Sequence, residues 1–184
     1  MIWIGIGLFF SLHLIPSFPN VRTQLISRFG EKGYRGGYSL LSLIGLILIV
    51  AGYIGMEYEE VWLPPYWAPQ AALIVMPIVI ILLVAADQKG HIRKKLKHPM
   101  SIGVVLWALV HLLNRGDLAA LLLFGCFGLF GLFSIFSANR RGKLPDYDAP
   151  QAKHDVRAIV IGLVISAVLV FWGHEFLFGV QPPY

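Results

Sequence analysis

The chain has 184 residues, of which 57% are hydrophobic and 14% charged, against about 25% charged in soluble domains. A formal charge of +5 comes with no basic, aromatic-interleaved face on a soluble module, which argues against a nucleic-acid partner. One cysteine, Cys126, excludes an intrachain disulfide and a multi-cysteine zinc site, and the missing C-x-x-C-H excludes covalent haem attachment.

The fold class expected is all-α, a polytopic membrane bundle forming one domain over residues 1–184. Six apolar runs fall near residues 2–18, 39–56, 66–86, 99–113, 118–137 and 156–178. We read them as six transmembrane helices, although a span takes about 20 apolar residues and two of the runs are shorter. The first run has no basic leader and no A-x-A-like cleavage site, and is expected to be retained. Between Pro19 and Gly30, Val21, Leu25, Ile26 and Phe29 recur at helical spacing among Arg22, Gln24 and Arg28. This segment is either an interfacial helix or the kinked continuation of the first helix through Pro16 and Pro19. Gly30, Gly33, Gly36 and Gly37 mark a turn before the second run. An acidic loop with Glu57, Glu59 and Glu60 follows it, closed by Pro64 and Pro65 inside an interfacial belt of Trp62, Tyr66 and Trp67. The fourth run ends at Asn114-Arg115-Gly116-Asp117, a tight turn that makes it an antiparallel hairpin with the fifth. Residues 138–155 form the longest loop.

Loops 19–38, 87–98 and 138–157 hold every Lys and Arg except Arg115. The positive-inside rule therefore places these loops in the cytoplasm, against an anionic leaflet, and both termini outside. The expected location is a membrane crossed several times, with both termini on its outer side.

Ionisable groups inside a membrane are costly and usually face the bundle interior. Three of the six histidines qualify: His13, His111 and His174. With about 1.5 Å rise per residue, His111 lies about 18 Å above the cytoplasmic edge and His174 about 27 Å. His13 lies about 9 Å up if its helix ends at Pro19, and about 22 Å up if that helix runs on to Arg28. His13 and His111 are then the better coplanar pair, and two imidazoles on different helices at one depth suit a haem b iron. Gly103, Trp107, His111 and Arg115 follow at spacings of four and share a helix face. Gly103 gives room for a flat ring, Trp107 can stack on it, and Arg115 can pair a propionate. The same residues also read as packing: Gly at a helix contact, Trp in the core, and Arg115 paired with Asp117.

The chain resembles the NnrU family of bacterial membrane proteins over essentially its full length. The stretches that carry the resemblance are Leu8 to Ser17 (LFFSLHLIPS), Gly30 to Gly37, Lys97-His-Pro-Met100, Leu106 to Leu118 (LWALVHLLNRGDL) and Glu175 to Gly179. The family takes its name from genes that lie with nitrite and nitric oxide reduction genes, and this implies an association with denitrification. It is in turn similar to zeta-carotene isomerase, which holds haem b through histidines. By that resemblance His13 and His111 are the iron ligands, with His174 in reserve. The isomerase has a Cys three residues before its second histidine, implicated in redox-dependent ligand exchange. This chain has Ala108 there, so the resemblance implies haem without the switch. Lys97 to Gly103 also resembles a stretch of isoprenylcysteine-type methyltransferases. The Glu-Glu pair those enzymes carry is missing from residues 138–157, and Pro99 reads simply as the first turn of a helix.

Three functions follow as expectations. The chain is a haem protein supporting nitric oxide metabolism, a haem-dependent isomerase of a polyene or similar hydrophobic small molecule, or a non-catalytic factor assembling a membrane reductase.

Overall fold

In the computed structural model, which describes residues 1–182, the chain is helical with no strand among those residues. The elements are α1 (Ile2–Leu14), α2 (Pro19–Ile54), α3 (Ala68–Ala85), α4 (His91–Leu96), α5 (Pro99–Asn114), α6 (Leu118–Arg140), α7 (Ala152–Val168) and α8 (His174–Phe178). A 3-10 turn, Ile15–Ser17, follows α1, and a π-helical segment, Leu169–Gly173, joins α7 to α8.

Four helical stretches are long and apolar enough to cross a membrane: Pro19–Ile54, Ala68–Ala85, Leu118–Arg140 and Ala152–Phe178. The count of six is not established at this level. Ile2–Ser17 and Pro99–Asn114 are apolar but shorter. Each has sixteen residues, about 24 Å at 1.5 Å per residue, against a hydrocarbon core of about 30 Å. The outward faces are apolar. Leu40, Ile47 and Ile54 of α2, Leu129 and Phe136 of α6, and Val160 and Val164 of α7 are all exposed. Patches of that size on successive helices are untenable in water and ordinary against lipid. The structure is thus that of a multi-pass membrane protein.

The helices fall into two compact units, Met1–Glu59 and Glu60–Tyr184. In the first, α1 runs antiparallel to the second half of α2. The contact is close because glycines form it. A Cβ at Gly52 would lie 2.3 Å from the Ile2 nitrogen, and one at Gly5 2.6 Å from the Ile49 nitrogen. Small residues of this kind let helix backbones approach within a membrane, where apolar burial alone does not drive association.

The open choice at Pro19 is resolved by the backbone. Phe18 has φ −118° and ψ 86°, and α1 does not continue through it. Gly30, at φ 71° and ψ 162°, breaks α2 in turn, a conformation that suits a residue without a Cβ. Residues 19–29 are therefore a separate helical segment between two breaks. Val21 and Phe29 are exposed on it beside Arg22 and Arg28, and only Leu25 and Ile26 are half-buried. That is the amphipathic pattern of an interfacial helix.

In the second unit α5 lies between α3 and α6, and α7 packs on the other side of α3. The α5–α6 hairpin is built as its turn suggested. Asp117 caps α6 by accepting from the Ala120 amide at 2.9 Å and pairs with Arg115 Nε at 3.0 Å. The acidic loop clasps that turn: the Val61 and Trp62 amides both donate to the Gly116 carbonyl, at 2.7 and 3.1 Å. Asn114 Nδ2 reaches the Ala68 carbonyl at 3.1 Å and ties α5 to the start of α3. Toward the open end of the hairpin, remote from the turn, Ser101 donates to Ser134 at 3.1 Å.

Candidate functional site

His13 is the next-to-last residue of α1, less than two turns before the break at Phe18. Its Nδ1 lies 2.8 Å from the carbonyl of Phe9, one turn back. A carbonyl only accepts, so Nδ1 carries the proton and Nε2 is the nitrogen with the lone pair. The ring stacks on Phe9 at 4.0 Å and meets Tyr38 of α2 at 5.5 Å. Beside Tyr38 an open cleft of about 370 Å³ is lined by Pro16, Tyr34, Arg35, Tyr38 and Ser39. Arg35 is tied to Glu31 at 2.8 Å. The condition that would raise His13 to the depth of His111, one helix running on to Arg28, is not met. The break at Phe18 leaves His13 near the end of a short helix.

His111 sits one turn before the end of α5 and shows the same device. Its Nδ1 lies 2.8 Å from the Trp107 carbonyl, which again leaves the lone pair on Nε2. Its ring is stacked on Phe124 of α6 at 4.7 Å and tilted 50° against Trp107 at 5.1 Å. Trp107 meets the edges of Phe124 and Phe127 at 4.9 and 5.5 Å. Beneath this wall lies a core of Ala108, Ala120 and Phe124.

The face Gly103–Trp107–His111–Arg115 is divided between neighbours. Gly103 lies against α3, where a Cβ would meet Leu83 at 3.2 Å and Leu82 at 3.4 Å. Trp107 and His111 look toward α6, and Arg115 reaches the cap of that helix. Ala108 is only 1% exposed. A Cβ added at Gly128 would lie 3.3 Å from the Ala108 methyl, so this position is filled by the α5–α6 contact.

His174 opens α8 directly after the π-helical segment, a local geometry that recurs at functional sites. Its Nδ1 lies 2.7 Å from the Val180 carbonyl, which places its lone pair on Nε2 as well. The three membrane histidines thus share one anchor: Nδ1–H held by a carbonyl, which in an unprotonated ring leaves Nε2 as the acceptor. The remaining three bond side chains outside the apolar segments: His91 to Asp155, His98 to Asn139 and His154 to Gln88. Among the described residues no group of three or more His, Cys, Asp or Glu is placed to hold a bare metal ion.

Sequence reasoning did not reach Tyr34, Tyr38 or Phe124. Tyr34 and Tyr38 are one helical turn apart beside the glycine cluster, and that spacing was the available signal. Phe124 carries none, because α6 has Phe throughout.

A family model described as NnrU protein matches residues 1–182. No curated protein and no solved structure matches the chain.

Proposed function

The chain belongs to the NnrU family, and from that membership we propose a six-span protein of the bacterial inner membrane that binds one haem b. The basic loops face the cytoplasm and both termini the periplasm. The two helices of about 24 Å cross by tilting little or by thinning the bilayer around them. The proposed role is in nitrite and nitric oxide metabolism.

The observation that carries the haem reading is at His111. A histidine that would hold the iron needs an unprotonated Nε2, and such ligands typically give their other ring N–H to a carbonyl or carboxylate. His111 has that anchor at 2.8 Å, inside an aromatic wall of Trp107 and Phe124. His13 has the same anchor and matches the second ligand by resemblance. When bound, the iron supplies one-electron and gas-ligand chemistry. This chain's residues fix the tautomer, the ring orientation and the dry surroundings. Gly103 is taken up by helix packing, so Trp107 is the residue on this face that remains to contact a flat ring.

A second reading pairs His111 with His174. It is favoured by the shared anchor and the preceding π-helical segment. One series decides between them. The detergent-purified protein should show a Soret band that shifts on reduction. His111→Ala should abolish or shift it, and His91→Ala should leave it unchanged. Loss in His13→Ala assigns the second ligand to α1, and loss in His174→Ala assigns it to α8. A purified protein with no Soret band after haem-replete expression overturns the cofactor reading and leaves the assembly-factor role.

A further inference from the structure

The short basic helix α4 and the loop that precedes α7 form a built cleft unrelated to the membrane histidines. The Asp155 carboxylate accepts from the His91 and Ile92 amides at 2.8 and 2.9 Å and from His91 Nδ1 at 2.8 Å. The Tyr147 hydroxyl donates to the Gly90 carbonyl at 2.7 Å, and Lys94 Nζ donates to the Tyr147 carbonyl. The Gln151 amide donates to the Lys89 carbonyl at 3.1 Å. These bonds join segments more than fifty residues apart and fix α4 to the base of α7.

Between them lies a cleft of about 390 Å³ lined by His91, Ile92, Lys94, Lys95 and Pro150. The helix that walls it carries Arg93, Lys94 and Lys95, and Lys97 follows at its end. Among the described residues no ion pair takes any of these four cations. Asp155 is already committed to three donors, and Asp146 and Asp148, which flank Tyr147, pair with none of them. The wall is therefore an unneutralised positive surface held in a fixed shape. Its floor is apolar, made by Ile92 and Pro150. Leu96 and Met100, which continue from it to the first turn of α5, are 38% and 51% exposed.

We propose that this cleft binds the phosphate of an anionic phospholipid, with Lys94 and Lys95 on the headgroup and an acyl chain along Leu96 and Met100. Charge complementarity selects an anion, and basic pockets at the cytoplasmic ends of membrane helices take anionic headgroups. The apolar track toward α5 selects a lipid over free phosphate, which has no use for it. The proposal rests on the cytoplasmic placement of the basic loops proposed above, and stands apart from the haem reading.

The test is native mass spectrometry of the full chain in mixed phosphatidylglycerol and phosphatidylcholine micelles. The wild type should retain phosphatidylglycerol selectively. The double variant Lys94→Gln/Lys95→Gln should lose that occupancy by about tenfold or more. Lys95→Glu, at an exposed side chain with no structural bond, should lose it too and guards against misfolding of the double variant. Lys32→Gln/Lys143→Gln, which removes equal charge at residues that do not line the cleft, should leave occupancy unchanged. Equal loss in that control, or equal retention of phosphatidylcholine, overturns the proposal. Displacement of the lipid by millimolar inorganic phosphate identifies a free-phosphate site and also overturns it.

Discussion

Replacing Asp155 by Ala removes the α7 side chain that binds the start of α4. Three hydrogen bonds go with it, two from backbone amides at 2.8 and 2.9 Å and one from the His91 ring at 2.8 Å. The ring bond contributes little, because His91 is 59% exposed at its side chain and surface pairs give about 0–1 kcal/mol. The two amide bonds dominate: an amide bonded to a charged group is worth about 1.5–3 kcal/mol net. At the membrane edge the freed amides regain water, so the lower end applies to each, and the sum is about 3 kcal/mol. That is about two powers of ten in the local opening constant. Hydrogen–deuterium exchange on a peptide covering residues 90–97 reads it directly. Protection there should fall about a hundredfold, while peptides in α5 and α6 hold theirs. Asp155→Asn keeps one acceptor oxygen and should lie between. Unchanged protection at residues 90–97 in Asp155→Ala refutes the assignment of this carboxylate as the fastener.

Three further outcomes are expected. Gly52→Val forces α1 away from α2, since a Cβ there would lie 2.3 Å from the Ile2 nitrogen; overpacking of this kind costs about 1–3 kcal/mol, read as a lower melting temperature in detergent, whereas Gly7→Ala, with nothing within 4 Å, should not lower it. Asp117→Ala removes the α6 cap and the partner of Arg115 and should destabilise by about 1–2 kcal/mol, with Asp117→Asn recovering most of that in the same melt. In a Cys126→Ser background, Glu59→Cys should react with an impermeant thiol reagent from the periplasm and Lys143→Cys should not; the reverse pattern would invert the topology.

The long apolar helices were legible because hydropathy and local punctuation agree. The run at 66–86 is observed as Ala68–Ala85 and that at 118–137 as Leu118–Arg140. The turn from Asn114 to Asp117 was readable for the same reason: Asp is both turn former and cap. The number of spans was less so. Residues 2–18 and 99–113 look apolar enough, but sixteen-residue helices fall short of the length that a span by itself requires. At Pro19 the sequence allowed two arrangements, because proline starts a helix as readily as it kinks one. The choice lies in the φ and ψ of Phe18 and Gly30. The histidines were visible as costly residues, but not their common tautomer, which depends on carbonyls one turn back or, for His174, six residues on. Helix α4 was hidden inside what read as a basic loop. Its stability comes from Asp155, 64 residues from His91, and pattern along a chain carries nothing over that distance.

The π-helical segment Leu169–Gly173 has a consequence for everything after it. A π turn accommodates one residue more than an α turn, and one residue is about 100° of azimuth on a helix. Phe171, Trp172, His174 and Glu175 therefore point elsewhere than an unbroken α7 would aim them. The single extra residue acts as a rotary offset built into the last helix. It lets Ala158, Gly162 and Ser166 keep their buried faces at one end while the other end is dialled independently. A length change of one residue in this segment would leave the packed end untouched and swing His174 to a different side.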